Sequence, residues 1–212
     1  MIRLVLLLCS VLVFGPGDAV AGTDDPGLQR LRNFLTGVTT LRADFRQRVI
    51  DSRQQVVEDS AGRVLMQRPG RFRWDYQQPH ARAIVADGEK LWLYEADLDQ
   101  VIIRQLEEGI GDTPAALLTG RQDVLERFTI SKSWQADRIQ WVALAPKAAD
   151  ADFAAVRLGF DGPKLVNLEL DDRLGQQTRL DFSRVEINPR LDDKSFRFDI
   201  PPGADVIDDS AL

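Results

Sequence analysis

Six consecutive residues, Arg71-Phe72-Arg73-Trp74-Asp75-Tyr76, place three aromatic rings on one parity and three charges on the other. Side chains alternate faces along a strand but not along a helix, so this run predicts a β-strand with one apolar and one wet face. The same period governs Leu41 to Val49, where the odd positions are largely apolar and Arg42, Asp44, Arg46 and Arg48 fill the even ones. One-sided strands of this kind belong to antiparallel sheets covered on a single face. Further strands are expected over Val56 to Gln67, Ala81 to Ala86, Lys90 to Tyr94, Gln100 to Arg104 and Phe128 to Trp134. Arg138 to Ala145, Phe153 to Phe160, Lys164 to Leu170 and Gln177 to Ile187 continue the series, and a terminal strand is expected over Phe196 to Ile200. Within Gln177 to Ile187, Leu180 and Phe182 share one parity but Val185 and Ile187 the other, which predicts a β-bulge near Arg184. About ten sequential strands suggest one large sheet that curls, leaving a concave apolar face in need of a cover.

The cover is expected to be helical. Asp24-Asp25-Pro26 reads as a helix start, and Leu28, Leu31, Leu35 and Val38, with Phe34 beside them, recur at helical spacing to near Gly37. Thr113-Pro114 opens a second short helix, Ala115 to Leu118, stopped by Gly120. The reading is therefore a mainly β (α+β) fold of one domain over 22–212, with a lid of short α-helices.

The chain opens on Arg3 and an apolar run from Leu4 to Phe14, broken by Gly15-Pro16-Gly17 and followed by Ala19-Val20-Ala21. That order matches a secretory signal peptide over 1–21, cut after Ala21. The run is too short to span a bilayer, and no later segment is apolar and long enough to do so, so a soluble, exported protein is expected. The lone cysteine, Cys9, lies inside the signal after Leu8, where lipidation would need a small residue. Past Ala21 there is no thiol, so apolar burial and hydrogen bonding must hold the fold without a disulfide. Charge is uneven: residues 22–82 carry 11 Arg against 7 acidic residues, whereas 83–212 carry 15 basic and 25 acidic ones. The acidic total speaks against nucleic acid, and the asymmetry admits either steering towards a partner or ordinary solvated strand faces.

Reactive groups are scarce. The only histidine, His80, follows Pro79 in a turn, and no nucleophile-elbow or phosphate-cradling motif is present. Asp171-Asp172, Asp192-Asp193 and Asp208-Asp209 are adjacent pairs, which on a strand point to opposite faces. No metal, cofactor or catalytic residue is expected. What stands out instead is a set of ring-bearing strand residues (Phe45, Phe72, Trp74, Trp92, Tyr94 and Trp141, with Phe153 and Phe182) that could line one concavity. A packed core would explain the same residues, because periodicity does not distinguish a filled interior from an empty one.

Several of these segments resemble the LolA family of periplasmic lipoprotein carriers of Gram-negative bacteria. Gln67-Arg68-Pro69-Gly70-Arg71-Phe72-Arg73-Trp74 is similar to its basic-Arg-Pro-x-x-Phe-x-Trp element, with Gln67 where Lys is common. Gln78-Pro79, the run from Ile84 to Tyr94, Asp99-Gln100-Val101, Thr113 to Leu118 and Pro201 to Ile207 fit the rest of the pattern in order and spacing. The resemblance implies an unclosed antiparallel β half-barrel whose concave face takes the acyl chains of lipoproteins. These would be received from an inner-membrane lipoprotein-releasing ABC transporter and passed to an outer-membrane receptor by a monomer without stable membrane insertion. It assigns Phe45, Phe72, Trp74, Trp92, Tyr94 and Trp141 to the acyl-chain cavity. Arg68 becomes a latch bonding lid carbonyls, and Leu31, Leu35, Leu117 and Leu118 the lid. Spare apolar room beneath a movable cover is expected. A lipidated outer-membrane receptor would need a cysteine at the mature N-terminus, a sensor a further domain, and a lipid hydrolase a nucleophile with its base.

Overall fold

A computed structural model describes residues 25–106, 118, 124–149, 151 and 153–210. Helix α1 spans Pro26–Gly37 and starts as its sequence dictates: Asp25 accepts from the Leu28 amide at 2.8 Å, and Pro26 occupies the first turn, where no amide hydrogen is needed. Eleven strands then meander antiparallel. They are β1 (Thr40–Ile50), β2 (Val56–Gln67), β3 (Arg71–Gln78), β4 (Arg82–Asp87), β5 (Lys90–Glu95) and β6 (Gln100–Gln105), followed by β7 (Phe128–Ala136), β8 (Ile139–Pro146), β9 (Phe153–Asp161), β10 (Lys164–Asp172) and β11 (Gln177–Ile187). A one-turn helix, α2 (Val124–Arg127), precedes β7, and a last short strand, β12 (Asp205–Asp208), pairs parallel to β6. The order across the sheet is β12-β6-β5-β4-β3-β2-β1-β11-β10-β9-β8-β7, so β12 and β7 form its edges and the sheet is unclosed.

One apolar cluster joins inward residues of both halves, from Phe72 and Trp74 on β3 to Val142 and Leu144 on β8. A single sheet can bring these together only by curling, which defines a concave inner and a convex outer face. The predicted bulge is present: Arg184 has φ of 50°, and the β1–β11 register slips between Arg42 and Asp44. The extra residue returns Val185 to the inside, where it is buried.

The expected terminal strand at Phe196 to Ile200 is not there. Asp193–Phe196 is a 3-10 turn, and the chain continues as a strap over the convex face. Phe196 is fully buried under the Arg71 guanidinium, Arg197 accepts from Arg73, and Phe198 packs on Tyr94 at 5.8 Å. Alternating Phe196 and Phe198 mimicked a strand, yet the segment crosses strands rather than joining their edge; the strand comes later, at Asp205–Asp208. The predicted second helix, Ala115 to Leu118, lies outside the described residues except for Leu118.

Candidate functional site

The concave floor is aromatic because β1, β3 and β11 present rings at matched register. Phe45 pairs across the ladder with Phe182, and its ring lies 4.9 Å from Trp74 and 5.0 Å from Tyr76; Trp74 meets Phe182 at 6.2 Å. These tilted and edge-on arrangements are the ones ring quadrupoles favour. From above, α1 drives Leu31 and Phe34 into the floor, Phe34 reaching Phe160 at 5.8 Å, while Leu35 packs half-buried beside them. At the N-terminal end of α1, Gly27 lies so close to the sheet that a Cβ there would stand 2.9 Å from the Trp141 carbonyl oxygen.

The described part of the interior is closely packed. Between Met66, Phe72, Trp74, Leu118, Leu165 and Phe182 remains only about 10 Å³ open to the centre of a water-sized sphere. That is room for one water at most. Among the described residues, floor and cover thus pack closely at this point, with no larger apolar space between these side chains.

Arg68 ties the cover down. It sits just past β2, and one guanidinium nitrogen, Nη1, donates to the carbonyl oxygens of Phe34, Leu35 and Val38 at 2.9, 2.8 and 2.7 Å. Nε and Nη2 both donate to the Leu118 carbonyl oxygen, at 3.3 and 3.0 Å, and the cation stands 5.0 Å from the Phe34 ring centroid. The last carbonyls of a helix lack partners of their own and carry its negative pole, and α1 has no basic residue in its last turn. Arg68 supplies that charge from the sheet. Burial without a carboxylate partner pushes its guanidinium down to about 10, which leaves it charged at neutral pH. One side chain thus joins the C-terminal end of α1 to the segment containing Leu118.

Of the residues predicted to line the cavity, Phe45, Phe72 and Trp74 do face inward and are buried. Trp92, Tyr94 and Trp141 do not. Trp92 pairs with Val85 and Tyr94 with Ala83, the outward positions of β4, and both lie on the convex face. Trp141 pairs with Gly159 and stacks on Trp134 at 5.8 Å, again outside, because its neighbours Val142 and Leu144 hold the inward parity. The strap explains the apolar character of the Tyr94 neighbourhood: the outer face has a small core of its own. Of the residues expected to form the lid, Leu31 and Leu118 are buried in the apolar cluster and Leu35 packs against it, whereas Leu117 lies outside the described residues. Val64, Met66 and Leu165 were missed as lining residues, although Val64 and Met66 fall opposite Trp74 and Phe72 once β2 is paired with β3, and Leu165 opposite Phe160 once β10 is paired with β9. Asn188 was missed as well. Its Oδ1 accepts from the Thr39 amide at 2.8 Å, and its Nδ2 donates to the Gly37 carbonyl oxygen at 2.9 Å. His80, far from the floor, pairs with Asp97 at 2.6 Å on the surface.

The family profile described as outer membrane lipoprotein carrier protein LolA matches residues 36–199. Outer-membrane lipoprotein carrier proteins of Methylobacillus flagellatus and Cupriavidus pinatubonensis are 42% and 36% identical. The first alignment covers 85% of this chain and 88% of the relative, the second 97% and 98%. Among solved structures, an uncharacterized conserved protein of Thermus thermophilus aligns with a TM-score of 0.54 at 17% identity, over 85% of this chain and 96% of the other. A LolA superfamily protein of Nitrosomonas europaea aligns with 0.50 at 15% identity, over 81% and 96%. These two likenesses concern the fold.

Proposed function

Because the chain belongs to the LolA family of outer membrane lipoprotein carrier proteins, we propose that it carries lipoproteins by sheltering their acyl chains on the concave face beneath α1. The observation that carries the reading is the Arg68 hub, a single cation fastening α1 over an apolar, ring-lined floor. The carrier works in the periplasm, exported by residues 1–21. It receives cargo from an inner-membrane lipoprotein-releasing ABC transporter and yields it to an outer-membrane receptor. The role is binding without catalysis, by the single domain 22–212.

The close packing of α1 on the floor suits this task. Each methylene withdrawn from water contributes roughly 0.8 kcal/mol, so a multi-chain lipid bound in an empty cavity would scarcely leave. Here cargo must displace Phe34 and Leu31 from the floor and break the Arg68 contacts. The cost of opening is subtracted from the gain of burial, and release stays possible. Arg68 is the latch in this scheme, Phe45, Phe72 and Trp74 the acyl-chain floor, and Leu31, Leu35, Leu117 and Leu118 the lid.

Purification from the periplasm followed by mass spectrometry of co-isolated material tests the proposal. Acylated lipoproteins are expected in stoichiometric amounts, and their absence from a preparation of a strain making abundant lipoprotein would defeat it.

A further inference from the structure

The inner face of β1 to β5 changes character along the strands, at the third level on β3 to β5 and one step later on β1 and β2. Its first rung, Leu41, Met66, Phe72, Ala86 and Leu91, is apolar throughout. So is the second, Ala43, Val64, Trp74, Ile84 and Leu93. The third starts with Phe45 and Gly62 and turns polar at Tyr76, Arg82 and Glu95, and beyond it Gln47 pairs with Ser60, with Glu58 next along β2 opposite Val49. In the other half of the sheet, among the described residues, only Thr178 on β11 is polar at this end, while Val156, Leu170 and Phe153 remain apolar and buried.

This polar shelf is assembled but incompletely paired. The Tyr76 hydroxyl donates to Gln47 Oε1 at 3.0 Å, and Ser60 donates to Glu58 at 3.1 Å. The Arg82 guanidinium lies 4.0 Å from the Tyr76 ring centroid, yet it reaches Glu58 and Glu95 only at 3.9 Å, too far for a hydrogen bond. Its buried Nε donates to no group among the described residues. One cation between two carboxylates leaves the shelf one negative charge in excess, with donors on Arg82 and on the Gln47 amide.

We propose that this shelf holds the ester- and amide-linked head of an acylated cysteine and turns away anionic phospholipid headgroups. The inference rests on the carrier reading and adds a basis for choosing cargo. An amphiphile whose chains lie on the first two rungs brings its carbonyl oxygens to the third, within reach of the arginine and amide donors. A phosphate at that level would meet Glu58 and Glu95 in a partly desolvated site, where like charges repel strongly.

Binding of three ligands to the full mature chain tests this: a synthetic N-acyl, S-diacylglyceryl cysteine peptide, monopalmitoylglycerol, and palmitoyl lysophosphatidylglycerol, which differs from the second by its glycerophosphate. The wild type is expected to bind monopalmitoylglycerol roughly tenfold more tightly than the lysophospholipid. A Glu58→Gln/Glu95→Gln variant, altered only at two half-exposed carboxylates, should narrow that ratio to about threefold or less. Arg82→Gln should weaken the lipopeptide and monopalmitoylglycerol by roughly fivefold. If Arg82→Gln does not fold, Tyr76→Phe, which frees Gln47 from its hydroxyl partner and keeps the ring, should shift the same two ligands and leave the lysophospholipid unchanged. Equal wild-type binding of the two single-chain lipids, or a ratio unmoved by the double variant, overturns the shelf. Failure of the wild type to bind the lipopeptide at all overturns the carrier reading instead.

Discussion

Arg68 illustrates how one residue can couple two elements without adding much net stability. Its hydrogen bonds to four carbonyl oxygens are charge-assisted, but the guanidinium had to leave water to make them. Removing it loses the bonds and the desolvation cost together. Arg68→Leu is therefore expected to fold and to melt within about 2 kcal/mol of the wild type. Amide exchange in the last turn of α1 should rise, and loading or release of a lipopeptide should fail. Unimpaired lipoprotein traffic in that variant would exclude Arg68 as the latch. Arg68→Lys keeps the charge but not the planar fork, so it should not restore function fully.

At the scale of elements, α1 is held at its two ends by different means. Its N-terminal half lies against the backbone of β8 through Gly27, while its C-terminal end is bonded by Arg68 and by Asn188, just past β11. Asn188 has φ of 55°, a conformation that asparagine tolerates and glycine adopts freely. Asn188→Gly thus keeps the backbone and deletes the capping bonds to Thr39, Thr40 and Gly37. It should cost about 1–2 kcal/mol and accelerate exchange of the α1 amides before those of β1. Equal acceleration in both elements would mean that α1 does not open independently of the sheet. The strap over the convex face is the element that sequence patterning misplaced. Phe196 and Phe198 alternate as a strand does, and nothing local reveals that their partners lie across strands rather than along one.

Taken whole, the molecule neutralises the charge asymmetry seen along its length. β1 pairs with β11, so arginines of the basic first part meet carboxylates of the acidic remainder: Arg42 with Glu186, Arg48 with Asp181, and, through the strap, Arg71 with Asp193. The outer face carries further pairs, most tightly where Arg157 donates to Asp171 at 2.6 and 2.7 Å and to Glu169 at 2.7 Å. The Arg157 hydrogen bonds, helped by Gln177 and against partial burial, hold the Asp171 carboxyl below the ordinary aspartate value of 3.8. The folded chain therefore takes up this proton less readily than the unfolded one. Its contribution is complete above that ordinary value and disappears as pH falls through the lower native one. Urea midpoints should hold from about pH 7 to 5 and decline below about pH 4, and Asp171→Asn should decline less steeply. Identical pH slopes for the two proteins would remove Asp171 from the acid response.

The sequence by itself determined the antiparallel strands β1 to β11, because a period of two reports which face of an extended chain must be buried and needs no knowledge of partners. It also determined the start of α1, through Asp25 and Pro26, and the Arg184 bulge, through a change of parity. Only the tertiary structure decided which apolar parity faces the concavity: β5 and β8 carry rings on their outer faces, and register against β4 and β9 sends Trp92, Tyr94 and Trp141 outward. It alone decided how closely α1 packs on the floor, since the fit of Phe34 and Leu31 depends on distances no periodicity encodes. The change from apolar to polar on β1 to β5 likewise became visible only when five separate segments were laid side by side.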